Sequence, residues 1–118
     1  MRWFLHAKIH KATVTQADVS YVGSITIDRD LCEKCGLLEG EKVLVTSNTG
    51  GGRLETYVIY GDSGSGVIQM NGAAAHIIKV GEEIIIMGFE LGSETLPQKI
   101  ILVDRQNKFV RYLPPAAS

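Results

Sequence analysis

Arg53, Glu55 and Tyr57 stand at alternate positions of one run, Arg53-Leu54-Glu55-Thr56-Tyr57-Val58-Ile59-Tyr60. Alternate residues of an extended chain share a face, so a cation, a carboxylate and a phenol project to one side. Such a set could bind an anionic substrate and donate a proton to it. It could equally be ordinary surface, and the spacing alone leaves the two readings level. Other chemistry-bearing spacings are weaker. Gly61-Asp62-Ser63-Gly64 has the letters of a trypsin-like nucleophile segment, but 118 residues cannot supply two barrels with a separately placed His and Asp. It reads as a loop. Gly50-Gly51-Gly52-Arg53 could cradle an anion through its amides, yet it lacks the Lys-Ser/Thr ending of a phosphate loop and reads as a hairpin turn.

Cys32 and Cys35 are the only cysteines, so there is no disulfide framework. A zinc site needs four ligands, and the three histidines do not complete one. His6 and His10 would be about 13 Å apart on a straight strand, too far to share an ion. Two packed helix thiols are the favoured reading.

Short strands must hold these side chains. Leu5, Ala7 and Ile9 alternate with His6, Lys8 and His10, the period of a half-buried strand. The apolar positions then change parity to Ala12 and Val14, which predicts a bulge. Residues 28–36 read as a short helix with Asp28 as N-cap, Leu31 and Cys35 on one face, and Gly36 in the left-handed position after the last turn. Further strands are expected at 42–47, 53–60, 67–70, 77–80, 83–89, 99–103 and 109–113, all rich in Val, Ile and Tyr. Asn71-Gly72-Ala73-Ala74-Ala75-His76 predicts one or two helical turns capped by Asn71, and residues 114–118 a loose tail. Seven or eight short strands with little helix point to a small closed β-barrel, because closure removes exposed edges.

Composition limits the function classes. A chain of 118 residues and 12.9 kDa makes one domain. Twelve basic against thirteen acidic residues leave a net charge of −1, so no global field attracts nucleic acid or acidic lipid. A hydrophobic content of 45% excludes general disorder. The N-terminal apolar patch is cut by His6 and Lys8, unlike a secretory segment. The longest apolar stretch, Ile84-Ile85-Ile86-Met87, is far below the roughly 20 residues that span a bilayer. The expected address is the cytoplasm.

Ala7-Lys8-Ile9-His10-Lys11-Ala12-Thr13-Val14-Thr15-Gln16-Ala17-Asp18 leads into Tyr21-Val22-Gly23-Ser24-Ile25-Thr26-Ile27-Asp28. This resembles the start of the bacterial aspartate 1-decarboxylase family, pyruvoyl enzymes that make β-alanine for pantothenate. Gly40-Glu41-Lys42-Val43, the Arg53–Ile59 block, Asn71-Gly72-Ala73-Ala74-Ala75-His76 and Gly81-Glu82-Glu83-Ile84-Ile85-Ile86-Met87 agree in order and spacing. The likeness covers residues 5–110 and implies a double-psi β-barrel assembled as a homotetramer, with active sites between subunits.

The resemblance also implies a self-made cofactor. Ser24 would attack the Gly23 carbonyl, and the chain would part into residues 1–23 and a chain of residues 24–118 headed by a covalent pyruvoyl group. That group would bind L-aspartate as a Schiff base, without metal or pyridoxal phosphate. Thr56 matches the donor to the processing oxyanion, and Tyr57 the proton donor in decarboxylation. Arg53 and Lys8 match the carboxylate binders. Asn71, Gly72 and Ala73 match the block beside the pyruvoyl group, and His10 and Ile85 match secondary pocket positions. A maturation helper protein is a further implied partner; nucleic acid and membrane are not. The alternatives are a pyruvoyl decarboxylase acting on glutamate or another amino acid, and an uncleaved barrel serving as a binding module.

Overall fold

The computed structural model describes residues 1–115. Nine strands and two short helices follow one another as β1 (Arg2–Thr13), β2 (Gln16–Asp18), β3 (Ser24–Asp28), α1 (Arg29–Cys35), β4 (Lys42–Ser47), β5 (Arg53–Gly61), β6 (Ile68–Asn71), α2 (Ala74–Ile77), β7 (Glu83–Gly92), β8 (Lys99–Val103) and β9 (Phe109–Leu113). They form one sheet in the order β2-β6-β3-β5-β4-β7-β1-β8-β9. Only Val14 and Thr15 separate β1 from β2. Val14 N–H donates to the Glu82 carbonyl at 3.0 Å and Thr15 N–H to the Ile68 carbonyl at 2.8 Å. One run of chain therefore pairs with β7 and then with β6, and the sheet closes on itself. The small β-barrel that the strand pattern predicts is formed, with β8 and β9 laid outside β1.

Strand alternation fills the barrel. Ala7, Ile9, Ala12, Val14, Ile25, Ile27, Val43, Val45, Val58, Ile68, Met70, Ile84 and Ile86 are all fully or almost fully buried. Each such isoleucine stabilises the fold by about 1.5–3 kcal/mol relative to exposure. The parity change in β1 is the predicted bulge: its register against β7 shifts between Ile9 and Ala12, and Lys11 takes a φ of 67°. A second shift, between Leu5 and Ala7, sets His6 outside the alternation. Where β1 leaves β8, the buried Asn107 side chain substitutes for a strand. It accepts from Thr13 N–H and donates to the Thr13 and Gly66 carbonyls, each at 2.8 Å.

The predicted helix is present as α1. Asp28 accepts from Asp30 N–H at 2.9 Å, and Gly36 closes the helix at φ 85°. The same carboxylate takes Gly64 N–H and Gly66 N–H, which docks the 61–64 loop against the helix start. Burial pushes the Cys32 thiol well up and the Cys35 thiol to about 12. Both stay protonated and serve as packing groups.

Two expectations fail, and two strands go unforeseen. Residues 77–80 do not form a strand: Ile77 ends α2, Ile78 is buried beneath it, and Val80 is exposed ahead of the Gly81 turn. Asn71 is not a helix cap. It ends β6, Ala73 occupies the cap position, and the Asn71 amide is drawn toward β3 instead. Two strands escape prediction: the three-residue β2, because Gln16-Ala17-Asp18 carries no strand-like pattern, and β3, although Ile25 and Ile27 alternate there with Ser24, Thr26 and Asp28. Residues 116–118 of the expected tail lie outside the described residues.

Candidate active site

Ser24 is the first residue of β3, fully buried, and stands opposite Asn71 in the antiparallel pairing of β3 with β6. Asn71 Nδ2 donates to Ser24 Oγ at 2.8 Å and to Thr26 Oγ1 at 3.0 Å. Ser24 Oγ in turn donates to the Val22 carbonyl at 3.3 Å. Asn71 Oδ1 is buried with no hydrogen-bond partner among the described residues. An unmatched buried amide oxygen costs roughly 1–3 kcal/mol and calls for an explanation.

Gly72 comes next, with a φ of 69° and its N–H on the Asp18 carbonyl at 2.8 Å. A Cβ there would lie 2.8 Å from Gly23 Cα, 3.0 Å from Gly23 N and 3.1 Å from the Tyr21 carbonyl oxygen. Only glycine permits both this conformation and this approach. The Gly23-Ser24 link is thus backed by the Gly72 backbone and held by Asn71.

The remaining candidates lie on the outer wall of the barrel. Ile25 pairs with Val58, so Ser24 and Tyr57 each stand one residue before that pair on parallel strands. Across the hairpin Tyr57 faces Lys42, Glu55 faces Leu44, and Arg53 faces Thr46. Leu44 continues to Met87 and Thr46 to Ile85 on β7, and Met87 continues to Lys8 on β1. His10 belongs to the bulge that lies against Ile85. Register therefore puts Ser24, Asn71, Tyr57, Arg53, Ile85 and Lys8 on one continuous face, opposite to the core.

Exposure divides that face. Ser24, Asn71 and Lys8 are buried, Ile85 and His10 half-buried, Arg53 exposed, and Tyr57 39% exposed. Burial, then the charges of Lys8 and Lys11, hold the His10 imidazole below its ordinary range. His10 is neutral at pH 7, and its Nδ1 is buried without a partner among the described residues. Two residues do not join the face. Thr56 has the inward parity of Leu54 and Val58 and pairs with the buried Val43. Ala73 is exposed at the start of α2.

Sequence reasoning overlooks Thr26 and Lys42. Thr26 shares the Asn71 amide with Ser24, and its place two residues on was a usable signal. Lys42 pairs with Glu55 at 3.2 Å and faces Tyr57, which only the hairpin register reveals.

A small β-barrel with its polar groups on the outer wall is the class that this fold and face define. A family model described as aspartate decarboxylase matches residues 1–110, and the chain belongs to that family. It is 50% identical over 117 residues to the aspartate 1-decarboxylase of Exiguobacterium sibiricum, covering 96% of this chain and 92% of the relative. Against the aspartate 1-decarboxylase of Corynebacterium efficiens it is 52% identical over 114 residues, 93% and 84% of the two chains. The Caldicellulosiruptor saccharolyticus enzyme of the same name is 51% identical over 111 residues, 91% of this chain and 87% of its own.

Proposed function

We propose that this chain removes the α-carboxylate of L-aspartate as CO₂ and releases β-alanine, using a pyruvoyl group made from its own Ser24. The observation that carries this reading is the buried serine hydroxyl on the Asn71 amide, with Gly72 pressed against Gly23. An ordinary Gly-Ser pair in a surface loop has neither feature. The residues fit the group. Asn71 Nδ2 supplies a donor to an oxygen at residue 24, Gly72 keeps a side chain out of its way, and Asn71 Oδ1 is left for an incoming donor.

In processing, Ser24 Oγ turns from the Val22 carbonyl onto the carbonyl carbon of Gly23. A C–O bond forms as the peptide C–N bond breaks, and the nitrogen of residue 24 takes the hydroxyl proton. The family likeness assigns the oxyanion on Gly23 to Thr56, which with its inward parity must turn toward residue 23 to donate. Loss of the Cα proton of residue 24 and cleavage of its Cβ–Oγ bond leave a carboxylate on Gly23. Water then releases ammonia from residue 24. The products are residues 1–23 and residues 24–118.

The pyruvoyl ketone supplies a carbonyl that condenses with the substrate amine and accepts the electrons left by CO₂. The chain does the rest. The Arg53 fork and the Lys8 ammonium bind the two carboxylates of a dianion. Tyr57 O–H returns a proton to the carbon that lost CO₂. Gly72 and Ala73 belong to the block beside the pyruvoyl group, with the Gly72 N–H already held by the Asp18 carbonyl, and neutral His10 and apolar Ile85 wall the pocket.

Arg53 and Tyr57 are about 13 Å apart along one strand, long for a four-carbon acid, and Glu55 lies between them. The homotetramer answers this: a neighbouring copy completes each site, and water leaves when it docks. The setting is the cytoplasm, without metal, pyridoxal phosphate, nucleic acid or membrane, and with a helper protein in maturation. No helix among the described residues is long and apolar enough to cross a membrane.

Product analysis tests the reading. L-aspartate given to the warmed, purified protein should yield β-alanine and CO₂ in equal amounts. Ser24→Ala should yield neither, and β-alanine from that variant would refute the role of Ser24.

A further inference from the structure

We propose that Glu82, outside the site face, is the positioning residue for Arg53. This rests on the reading of Arg53 as a carboxylate binder. Arg53 opens β5 immediately after the hairpin of residues 48–52; four bonds of that hairpin converge on Ser47, while Asn48 and Thr49 also bond Glu83. Ser47 N–H donates to the Gly52 carbonyl at 2.8 Å, and the Ser47 carbonyl accepts from Gly51 N–H at 3.1 Å. Its Oγ accepts from Thr49 N–H at 3.2 Å and Gly50 N–H at 3.0 Å. With its acceptor side so occupied, the hydroxyl has one proton to place. Glu82 Oε1 takes it at 2.5 Å.

The other Glu82 oxygen accepts from Lys79 N–H at 2.7 Å, tying the carboxylate to the turn after α2. The hairpin tip rests directly on this carboxylate, since a Cβ on Gly50 would lie 2.8 Å from Glu82 Oε1. A Cβ on Gly52 would lie 2.9 Å from Ile77 Cγ2. The hairpin is thus clamped between α2 and Glu82, and its last bond, at Gly52, fixes where Arg53 begins. The Ser47 bond and the Lys79 amide hold the Glu82 carboxyl below its ordinary range, so it is an acceptor at both oxygens at neutral pH.

Glutamine at this position cannot accept at both ends. Its NH₂ must face either the Ser47 hydroxyl or the Lys79 amide, both of which already donate. The hairpin then shifts, and Arg53 with it. An interaction made equally with bound substrate and transition state changes KM and leaves kcat. Glu82→Gln should therefore raise KM for L-aspartate roughly fivefold to tenfold, with kcat per cleaved chain within about twofold. Ser47→Ala should reproduce this rise, and the double variant should exceed neither single by more than about twofold. Amide exchange at Gly50 and Gly51 should quicken in both.

Tyr112→Phe, which removes a distant bond to the Lys34 carbonyl, supplies the destabilised control and should leave KM unchanged. If Glu82→Gln does not fold, Ser47→Ala decides alone. An unchanged KM in the clamp variants, or an equal rise in Tyr112→Phe, overturns the assignment of Glu82. Arg53→Met separates the two layers: if it leaves KM unchanged, the reading of Arg53 has failed and Glu82 falls with it. If it raises KM while the clamp variants do not, only Glu82 has failed.

Discussion

The surroundings of residue 24 and the outer face of β5 belong to one proposed site, yet they are built differently. Ser24, Asn71 and Gly72 are buried, and apart from Asn71 Oδ1 their bonds and close contacts are made within this chain. Arg53, Glu55 and Tyr57 point outward from a strand whose inner neighbours are core. The pair beside them, Lys42 with Glu55, is well exposed and worth little as stability. In the proposed reading, the groups of the first region that act on the Gly23-Ser24 link all come from this chain. The second can hold a substrate dry only when another surface covers it. The proposal therefore assigns self-cleavage to groups within one chain and turnover to a site that a second copy completes.

The strongest way to break this contrast is at Gly72. Gly72→Ala forces a Cβ onto the backbone of Gly23 in a left-handed conformation. It should stop or slow processing at least about a hundredfold, since a misplacement of 1 Å can cost that much. Time-resolved mass analysis of warmed precursor checks it, and cleavage at the normal rate would mean that the close approach has no role. Tyr57→Phe acts on the other region. Cleavage should proceed normally while kcat falls about a hundredfold or more, the range of a lost general acid. Undiminished turnover would remove Tyr57 from the chemistry, and failed cleavage would join the two regions that are here held separate.

The smallest effect concerns His10. Its folded-state pKa lies below the ordinary 6.5, so the unfolded chain takes up the proton first as pH falls. Folding stability is therefore undiminished above that value. It declines below pH 6.5 until the folded-state pKa is passed. Denaturant unfolding at pH 7.5 and at pH about 5.5 should show a larger loss in the native chain than in His10→Gln. Equal losses would mean that His10 is not held neutral by its surroundings.

Much of the scaffold is legible in the residues. The slip from Ile9 to Ala12 declares the β1 bulge, Asp28 and Gly36 bracket α1, and the glycines at 50–52 mark the hairpin. Alternation in β5 puts Arg53, Glu55 and Tyr57 on one face. What fails is what depends on distant pairing. Asn71 looks locally like a helix cap because its true partner, Ser24, is 47 residues away and arrives only when β3 meets β6. The β-branched run at 77–80 looks like a strand, but burial of Ile78 alone, with Ile77 and Val80 outside, suits a helix end and a turn. Lys8 joins Arg53 only through the registers of β1, β7, β4 and β5. The chemistry proposed for Ser24 rests on the family resemblance and on nothing in its immediate neighbours.

Intact mass of the purified protein, followed through prolonged warming, decides whether the backbone cuts itself. The expected result is two chains, residues 1–23 and residues 24–118, the larger beginning with a ketone and lacking a free amine. A single uncut chain of 118 residues that persists throughout would contradict the formation of a pyruvoyl group at Ser24 and leave the barrel without the proposed chemistry.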